Sequence, residues 1–532
     1  LFVFLGDAQS CLAEGKADSR LAEGQQIYRT ATRSDGTEVR AVVQMDVSLP
    51  GKAAACSNCH RRSGIGISEG GSRSRNLTAP VLFAATDKPP LRPAYDDATL
   101  ARAIIAGVAA DGHPLDVAMP RYELDADDTA ALVAYLHSLG ASAAPGVSNT
   151  DLHIATVIAD NAPQEERAAV HAVMQRYVEI KNAGSRREVE RAAAADRHYY
   201  GRSRQRAHRN WTLHEWLLKG PESTWLKQLN ALNAGSKPFA IVSGTAGSGL
   251  QLLQQFCENN EIPCVLPLGN MPPTDGPGFY SLYFSSGVEL EAAVTARHIA
   301  TSMLATNSRI LVVGDKTVTG QAALDTLQSQ LAARDYKNIR TVAVRPNKPL
   351  TKRKWHSLLK AGNIDVLISW IPVSMMSNLV TEQSDPSIVP DRIYTTQSFS
   401  DWSANAVPHK LLRSRIHHIY PYSLPQAGLT QFPREDIWLK LQGLTKLDSV
   451  AAAKVLFACR ALGMGLADIQ SNFSREYFLE ALEHALDDTQ LTSLFPRTTL
   501  GPDQRFLSNG AYVVQLSDTP ENVFTDALWI QP

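Results

Sequence analysis

Over the first 140 residues the apolar positions recur at intervals of three and four. Beyond residue 150 they gather into short unbroken runs separated by polar, helix-like stretches. The first spacing predicts amphipathic helices and the second predicts buried strands. In the first region, residues 21–28 place Leu21, Gly24, Ile27 and Tyr28 on one face, and Gly24 lets a second helix approach closely. Residues 97–107 predict another helix, with Asp97 as its N-cap and Gly107 as its stop. Residues 127–140 give a third, carrying Leu132, Tyr135, Leu136 and Leu139 on one side. Polar segments rich in Gly, Pro, Ser and Arg lie between them.

After a short linker around Pro145 and Gly146, the period changes. Apolar runs at 152–159, 211–218, 239–243, 262–267, 309–315, 364–370 and 392–396 predict strands. Helical stretches at 165–181, 225–232 and 289–304 fall between them. This βα alternation predicts parallel sheets with helices on both faces. It is too long for one sheet, so two α/β lobes are expected. At 532 residues, with 44% hydrophobic residues, the chain has material for several cores. The organisation expected is a leader remnant at 1–16, a helical domain at 17–143, a linker at 144–150 and a two-lobed α/β unit at 151–532.

One five-residue stretch carries recognisable chemistry: Cys56-Ser57-Asn58-Cys59-His60. C-x-x-C-H is the attachment signature of a c-type haem, in which two thiols capture the vinyl groups and the next imidazole ligates iron. Two thiols three residues apart share one side of a helical turn. A zinc site would need about two further soft ligands at similar spacing, and no second C-x-x-C or C-x-x-H is present. One covalently attached haem c is therefore expected. Its attachment takes place outside the cytoplasm, in an oxidising compartment. Leu1-Phe2-Val3-Phe4-Leu5-Gly6 reads as the end of a secretory signal, so a periplasmic location is expected. Cys11 could carry a lipid, but Ala8-Gln9-Ser10 is a poor match to a lipid-attachment site. No later apolar run reaches the ~20 residues of a membrane span. The formal charge of −1 gives no reason to expect nucleic acid as a partner.

The order of these features resembles the class I cytochromes c across the whole first segment. The residues that carry it are Gly24, Ile27 and Tyr28, then Cys56 to His60, Pro80, Leu100, Ile104 and Gly107, and finally Met119-Pro120 with the last helix. The resemblance implies an all-α domain in which Met119 sits opposite His60 as the second axial ligand. A thioether is a soft, neutral ligand that raises the potential. The residues themselves leave rivals open, namely His113 in a Gly-His-Pro turn and Met45; Met119 could also be core filling. His137, on a helix, reads as a surface or packing residue. A six-coordinate iron has no open site, so electron transfer is expected rather than peroxidase chemistry. Arg61, Arg62, Arg73 and Arg75 could steer an acidic redox partner, pair with haem propionates or form a solvated loop.

The second region resembles the type I periplasmic binding proteins, the leucine-binding-like receptors of ABC importers. Residues 240–267, 284–300, 310–327 and 363–372 carry the likeness, and 451–466 with 478–482 fit the family's late helices. The resemblance implies a ligand between the lobes, touched by loops that here hold Ser243, Thr245, Ser248, Asn270, Ser285, Ser286 and Trp370. Each has a plainer reading: Thr245 and Ser248 could simply cap a helix, and Trp370 could be a buried hinge residue. The Gly244 to Gly249 stretch lacks the Lys of a phosphate-binding loop. The Arg/His-rich insertion at 193–209 departs from the family and puts an amino-acid ligand in doubt. Cys257 and Cys264 could be bridged, while Cys459 reads as a buried thiol.

Taken together, these readings lead us to expect an electron-carrying cytochrome, with a periplasmic dehydrogenase as electron donor. Its α/β unit would bind a small molecule or dock that dehydrogenase. The rival expectation is a solute receptor that works with an ABC permease and carries a redox-sensing haem. No catalytic residue can be singled out, and an enzyme is the weakest of the three readings.

Overall fold

The computed structural model describes residues 19–44, 46–69, 72–86, 91–194, 209–269, 278–315, 317–344, 350–371, 376, 378–379, 389–398, 410–426, 430–469, 472–487, 494–501, 504–516 and 524–532. It divides into two compact units. The first holds the described residues up to Ser148 together with those of Ile469–Ala481, and the second holds Asn149–Asp468 and Leu482–Pro532. The break at Ser148 falls inside the expected linker. The return of residues 469–481 to the first unit has no counterpart in the sequence reading.

In the first unit, a helix over residues 19–30 crosses the helix Ala126–Ser138. The crossing is close because Gly24 has no side chain: a Cβ there would lie 2.0 Å from the Ala131 carbonyl oxygen. The helix Asp97–Ala106 is capped one residue before the expected Asp97. Asp96 accepts from the Thr99 N–H, and the Thr99 hydroxyl accepts in return from the Asp96 N–H. Asp97 is left in the first turn, and Gly107 ends the helix in the left-handed region at φ 67°. Asp125 and Asp128 form the same reciprocal cap on the last helix. Ile27, Tyr28, Leu100, Ile104, Leu132, Tyr135 and Leu136 fill the core between these helices.

The unit also holds a small antiparallel sheet, an addition to the all-α expectation. Arg40–Val43 lies between Val47–Pro50 and Arg121–Glu123. The alternating run Val39, Ala41, with both side chains buried, is too short to stand out by eye among polar neighbours.

Among its described residues, the second unit has two sheets, as the alternation predicted. In the first lobe five parallel strands run in the spatial order Ser281–Leu282, Cys264–Val265, Ala240–Val242, Asp151–Ala159, Asn210–Leu218. The second lobe has, among its described residues, seven strands in the order Ile339–Val344, Ile310–Asp315, Val366–Trp370, Arg392–Thr396, Ile416–Tyr420, Ala511–Leu516, Phe524–Ile530. The first five are parallel, and the last two close the edge as an antiparallel pair that the sequence reading did not anticipate. The central strands Val366–Trp370 and Ile310–Asp315 bury side chains on both faces, which is why they read as continuous apolar runs.

The helix Ser449–Ile469 is long and apolar enough to cross a membrane by length and composition alone. Its side chains Ala452, Val455, Leu456, Ala458 and Leu462 are instead buried within the protein. Arg505 and Glu483 form an ion pair in the interior, with Arg505 only 1% exposed and also donating to the Phe279 carbonyl.

Candidate haem site and cleft

The haem motif sits on a single turn, Ser57–His60, in the first unit. Several bonds fix that turn from outside. The Ser57 hydroxyl donates to the Arg29 carbonyl at 3.0 Å, and the Asn58 amide donates to the Lys52 carbonyl at 2.9 Å. Just after the motif, the buried Tyr28 hydroxyl donates to the Arg61 carbonyl at 2.8 Å. Arg61 and Gly64 turn the chain through positive φ, and a Cβ on Gly64 would come within 2.4 Å of Leu139.

The donor set fits a haem. His60 is 7% exposed, and its Nδ1 lies 2.8 Å from the Arg75 carbonyl oxygen. That contact assigns the proton to Nδ1 and leaves Nε2 as the lone-pair nitrogen, the arrangement an iron-ligating imidazole needs. Burial holds the His60 ring below its ordinary pKa, against the opposing pull of the Arg75 carbonyl, and so favours the neutral form that binds metal. Cys56 is buried and its thiol donates to the Tyr122 hydroxyl, whereas Cys59 is exposed. Burial pushes the Cys56 thiol up to about 11. Among the described residues, no group of three or more His, Cys, Asp and Glu side chains is placed to hold a metal ion.

Met119 is partly buried and packs against the same apolar core as Leu82, Leu100, Ile104 and Tyr122. Its loop is held by Arg121, whose guanidinium donates to the carbonyls of Met119 and of Leu115, the latter at 3.1 Å. His113 lies elsewhere in character: its side chain is 82% exposed and paired with Asp111 at 3.2 Å. His137 bonds Asp97 at 2.7 Å and stacks on Phe83. Met45 and Cys11 lie outside the described residues. The sequence reading missed the contribution of the 469–481 segment. Within the first unit, the Glu480 carboxylate accepts from the Ser63 N–H at 3.0 Å and from its hydroxyl, and Glu476 pairs with Arg29 at 3.7 Å.

In the second unit, strands of both sheets end at one small cleft, lined by residues that include Gly269, Phe284, Ser285, Glu291, Ser398, Tyr422 and Lys454. Gly269 and Ser285 follow strands of the first sheet, while Ser398 and Tyr422 follow strands of the second. Ligands of open α/β sheets bind at such carboxyl ends. Of the loop residues named from the sequence, Ser285 lines this cleft, and Ser286 is its partly buried neighbour. Ser243 and Thr245 are fully buried. Ser243 has φ 52°, and Thr245 donates to Glu166 and bridges Ile158 and Leu268 within the sheet. Ser248 is exposed and donates to Glu222. Trp370 is buried in the apolar core of the second lobe. Asn270 and most of the 193–209 insertion lie outside the described residues.

Cys257 and Cys264 are both buried, at 0% and 1% exposure. Each fills a separate place in the apolar core of the first lobe, alongside Phe256, Ile262 and Tyr283. Cys459 is likewise a buried thiol, lying 3.3 Å from the Met174 sulfur.

The cleft's charged residues come from stretches that the sequence reading passed over. Glu291 is 3% exposed, and both its oxygens accept from the Ser398 N–H at 3.2 Å. Burial raises its carboxyl to about 7, opposed by the bonds from Ser398 and Thr396 and by the charge of Lys454. Burial opposes the charge of Lys454 too, but the Tyr422 phenol, Glu166 and Glu291 outweigh it and hold its pKa above the ordinary value. The available signal was Lys454 itself, the first of only two cations in the apolar run from Val450 to Leu462.

Residues 21–140 match the family described as Cytochrome c. In overall fold the chain is similar to a branched-chain amino acid ABC transporter protein of Thermus thermophilus solved with bound valine. The TM-score is 0.50 at 9% identity, covering 71% of this chain and 97% of that one. It is also similar to a fatty acid ABC transporter substrate-binding protein of Thermomonospora curvata, with TM-score 0.49, 10% identity and coverage of 73% and 94%. A third similar structure is the leucine-binding protein LivK of Thermotoga maritima, with TM-score 0.49, 12% identity and coverage of 72% and 99%. Comparison with curated proteins gives no match. Residues 21–140 thus match a cytochrome c family model, which implies haem c binding, and the α/β unit has a two-lobed fold similar to that of the valine-bound Thermus protein.

Proposed function

We propose that this protein is a periplasmic electron carrier whose single haem is attached through Cys56 and Cys59 and ligated by His60 and Met119. The observation that carries the reading is the His60 ring, held through Nδ1 by the Arg75 carbonyl with its other nitrogen left for iron. The haem supplies one-electron redox chemistry when bound. The protein's part is to bury the imidazole, to anchor the motif turn through Arg29 and Lys52, and to hold the Met119 loop with Arg121. Held by both His60 and Met119, the haem would exchange electrons rather than bind a substrate. The donor would be a periplasmic dehydrogenase and the acceptor the respiratory chain.

The α/β unit would bind a small molecule, or dock the redox partner, through lobes that close about a hinge. A second reading, supported by the likeness to the valine-bound Thermus protein, is a solute receptor that presents its ligand to an ABC permease and carries a redox-sensing haem. Stopped-flow mixing of the oxidised holo-protein with a reduced periplasmic dehydrogenase tests the first reading: haem reduction within the enzyme's turnover time supports it, and an unreduced haem contradicts it. A calorimetric screen against amino acids and short acids tests the solute-binding role common to both.

A further inference from the structure

The first unit takes two carboxylates from a distant part of the chain. Glu476 and Glu480 lie four residues apart on the helix that begins at Arg475, and such a pair shares one helix face. Glu476 pairs with Arg29 at 3.7 Å, and the Arg29 carbonyl accepts from the Ser57 hydroxyl inside the haem motif. Glu480 takes the other side of the motif. It accepts from the Ser63 N–H at 3.0 Å and from the Ser63 hydroxyl, although it lies 417 residues further along the chain. Ser63 follows His60 by three residues and is 2% exposed. Glu480 itself is partly buried, so its charge stands against the interior of the unit.

A neutral amide oxygen could accept the same bonds. What a carboxylate adds is a full negative charge, favoured by the two donors aimed at it. That charge is felt around the motif. The buried Tyr28 hydroxyl donates to the Arg61 carbonyl, next to His60. Burial holds this phenol well above its ordinary pKa, with Cys56, Tyr135 and Glu480 adding to the effect and Arg29 opposing it. A charge in such a partly buried setting acts further and is screened less by salt than one in open water.

Giving up an electron to its redox partner leaves a haem one unit more positive. A negative charge nearby therefore stabilises the oxidised form and lowers the potential. The sign does not depend on which cations neighbour Glu480, because a neutral replacement removes one negative charge in every case.

We infer that Glu480 tunes the haem: from the turn that follows His60, its carboxylate lowers the reduction potential. This inference rests on the haem reading of the first unit and adds a determinant from outside residues 21–140.

The test is a mediated spectroelectrochemical titration of the full-length holo-protein, native and with Glu480→Gln, Glu480→Ala or Glu480→Asp, at one pH and salt concentration. Glu480→Gln and Glu480→Ala should raise the ferrous-to-ferric ratio at a fixed potential about threefold, an upward shift of about 28 mV at roughly 59 mV per tenfold. Glu480→Asp keeps the charge and should stay closer to native than either. Hydrogen exchange read by mass spectrometry is independent of the iron, and the peptide holding Ser63 should exchange faster in Glu480→Ala. An unshifted or lowered potential in the near-isosteric Glu480→Gln overturns the inference and leaves Glu480 a structural anchor only. Equal shifts in Glu480→Asp and Glu480→Gln also overturn it, since position rather than charge would then be responsible. Unchanged exchange at Ser63 in Glu480→Ala contradicts the contact on which it is built. A native chain with no reversible one-electron couple overturns the haem reading itself, and the inference with it.

Discussion

The two units of this chain hold their chemistry in opposite ways. In the first, the groups that define the site lie within five consecutive residues, Cys56 to His60, and the fold adds anchors such as Tyr28, Arg75 and Arg121. In the second, the cleft is assembled from Gly269, Phe284, Glu291, Ser398, Tyr422 and Lys454, spread over nearly two hundred residues, and no contiguous motif announces it. Covalent capture of a cofactor demands fixed spacing along the chain, because both thiols must meet one ring. Non-covalent recognition demands only convergence in space, which many sequences can supply.

If that contrast is right, the first unit should fail abruptly under single substitutions and the second by degrees. The largest effect belongs to Cys56→Ala with Cys59→Ala, which should abolish covalently bound haem altogether, seen as loss of haem staining on a denaturing gel. Met119→Ala should keep the haem but convert its spectrum from low-spin to high-spin; an unchanged spectrum would remove Met119 as the ligand and return attention to its rivals.

In the second unit, Glu483→Ala leaves the buried Arg505 guanidinium without its counter-ion. Chemical denaturation should show a loss of about 3–5 kcal/mol. A smaller effect is expected from pH. Because burial holds the Glu291 carboxyl at about 7 rather than its ordinary 4.5, the folded chain keeps a proton that the unfolded chain releases earlier. That stabilisation is complete below about 4.5 and is lost as pH rises through about 7. Thermal midpoints between pH 5 and 8 should fall with that slope in the native chain and flatten in Glu291→Gln. A native profile that rises across the window would contradict the buried carboxyl's role.

The same contrast governs what could be read from the sequence. The helices of the first unit were legible because Leu132, Tyr135, Leu136 and Leu139 repeat at helical spacing, and the parallel strands of the second because they are buried on both faces. The cap at Asp96 was missed by one residue because Asp96 and Asp97 are adjacent carboxylates, and only the reciprocal bond with Thr99 decides between them. The hairpin around residues 40–50 is short, and both it and the final antiparallel pair are placed by pairing with strands far away in sequence, Arg121–Glu123 and Ile416–Tyr420. In the cleft, Ser285 was reachable from its loop, but Lys454 lies on a helix and Tyr422 beyond a strand that the alternation did not identify. Ser243, Thr245 and Trp370 looked like ligand contacts from their places after strands. Their burial within the lobes follows from packing, which spacing does not encode.

The central claim is that Cys56, Cys59 and His60 build a haem c site in the first unit. Intact mass measurement of chain matured in a host that attaches c-type haem, followed by digestion and sequencing of the Cys56–His60 peptide, tests it most directly. The account predicts one haem per chain, linked through both cysteines of that peptide. Recovery of the peptide with both thiols unmodified would contradict it.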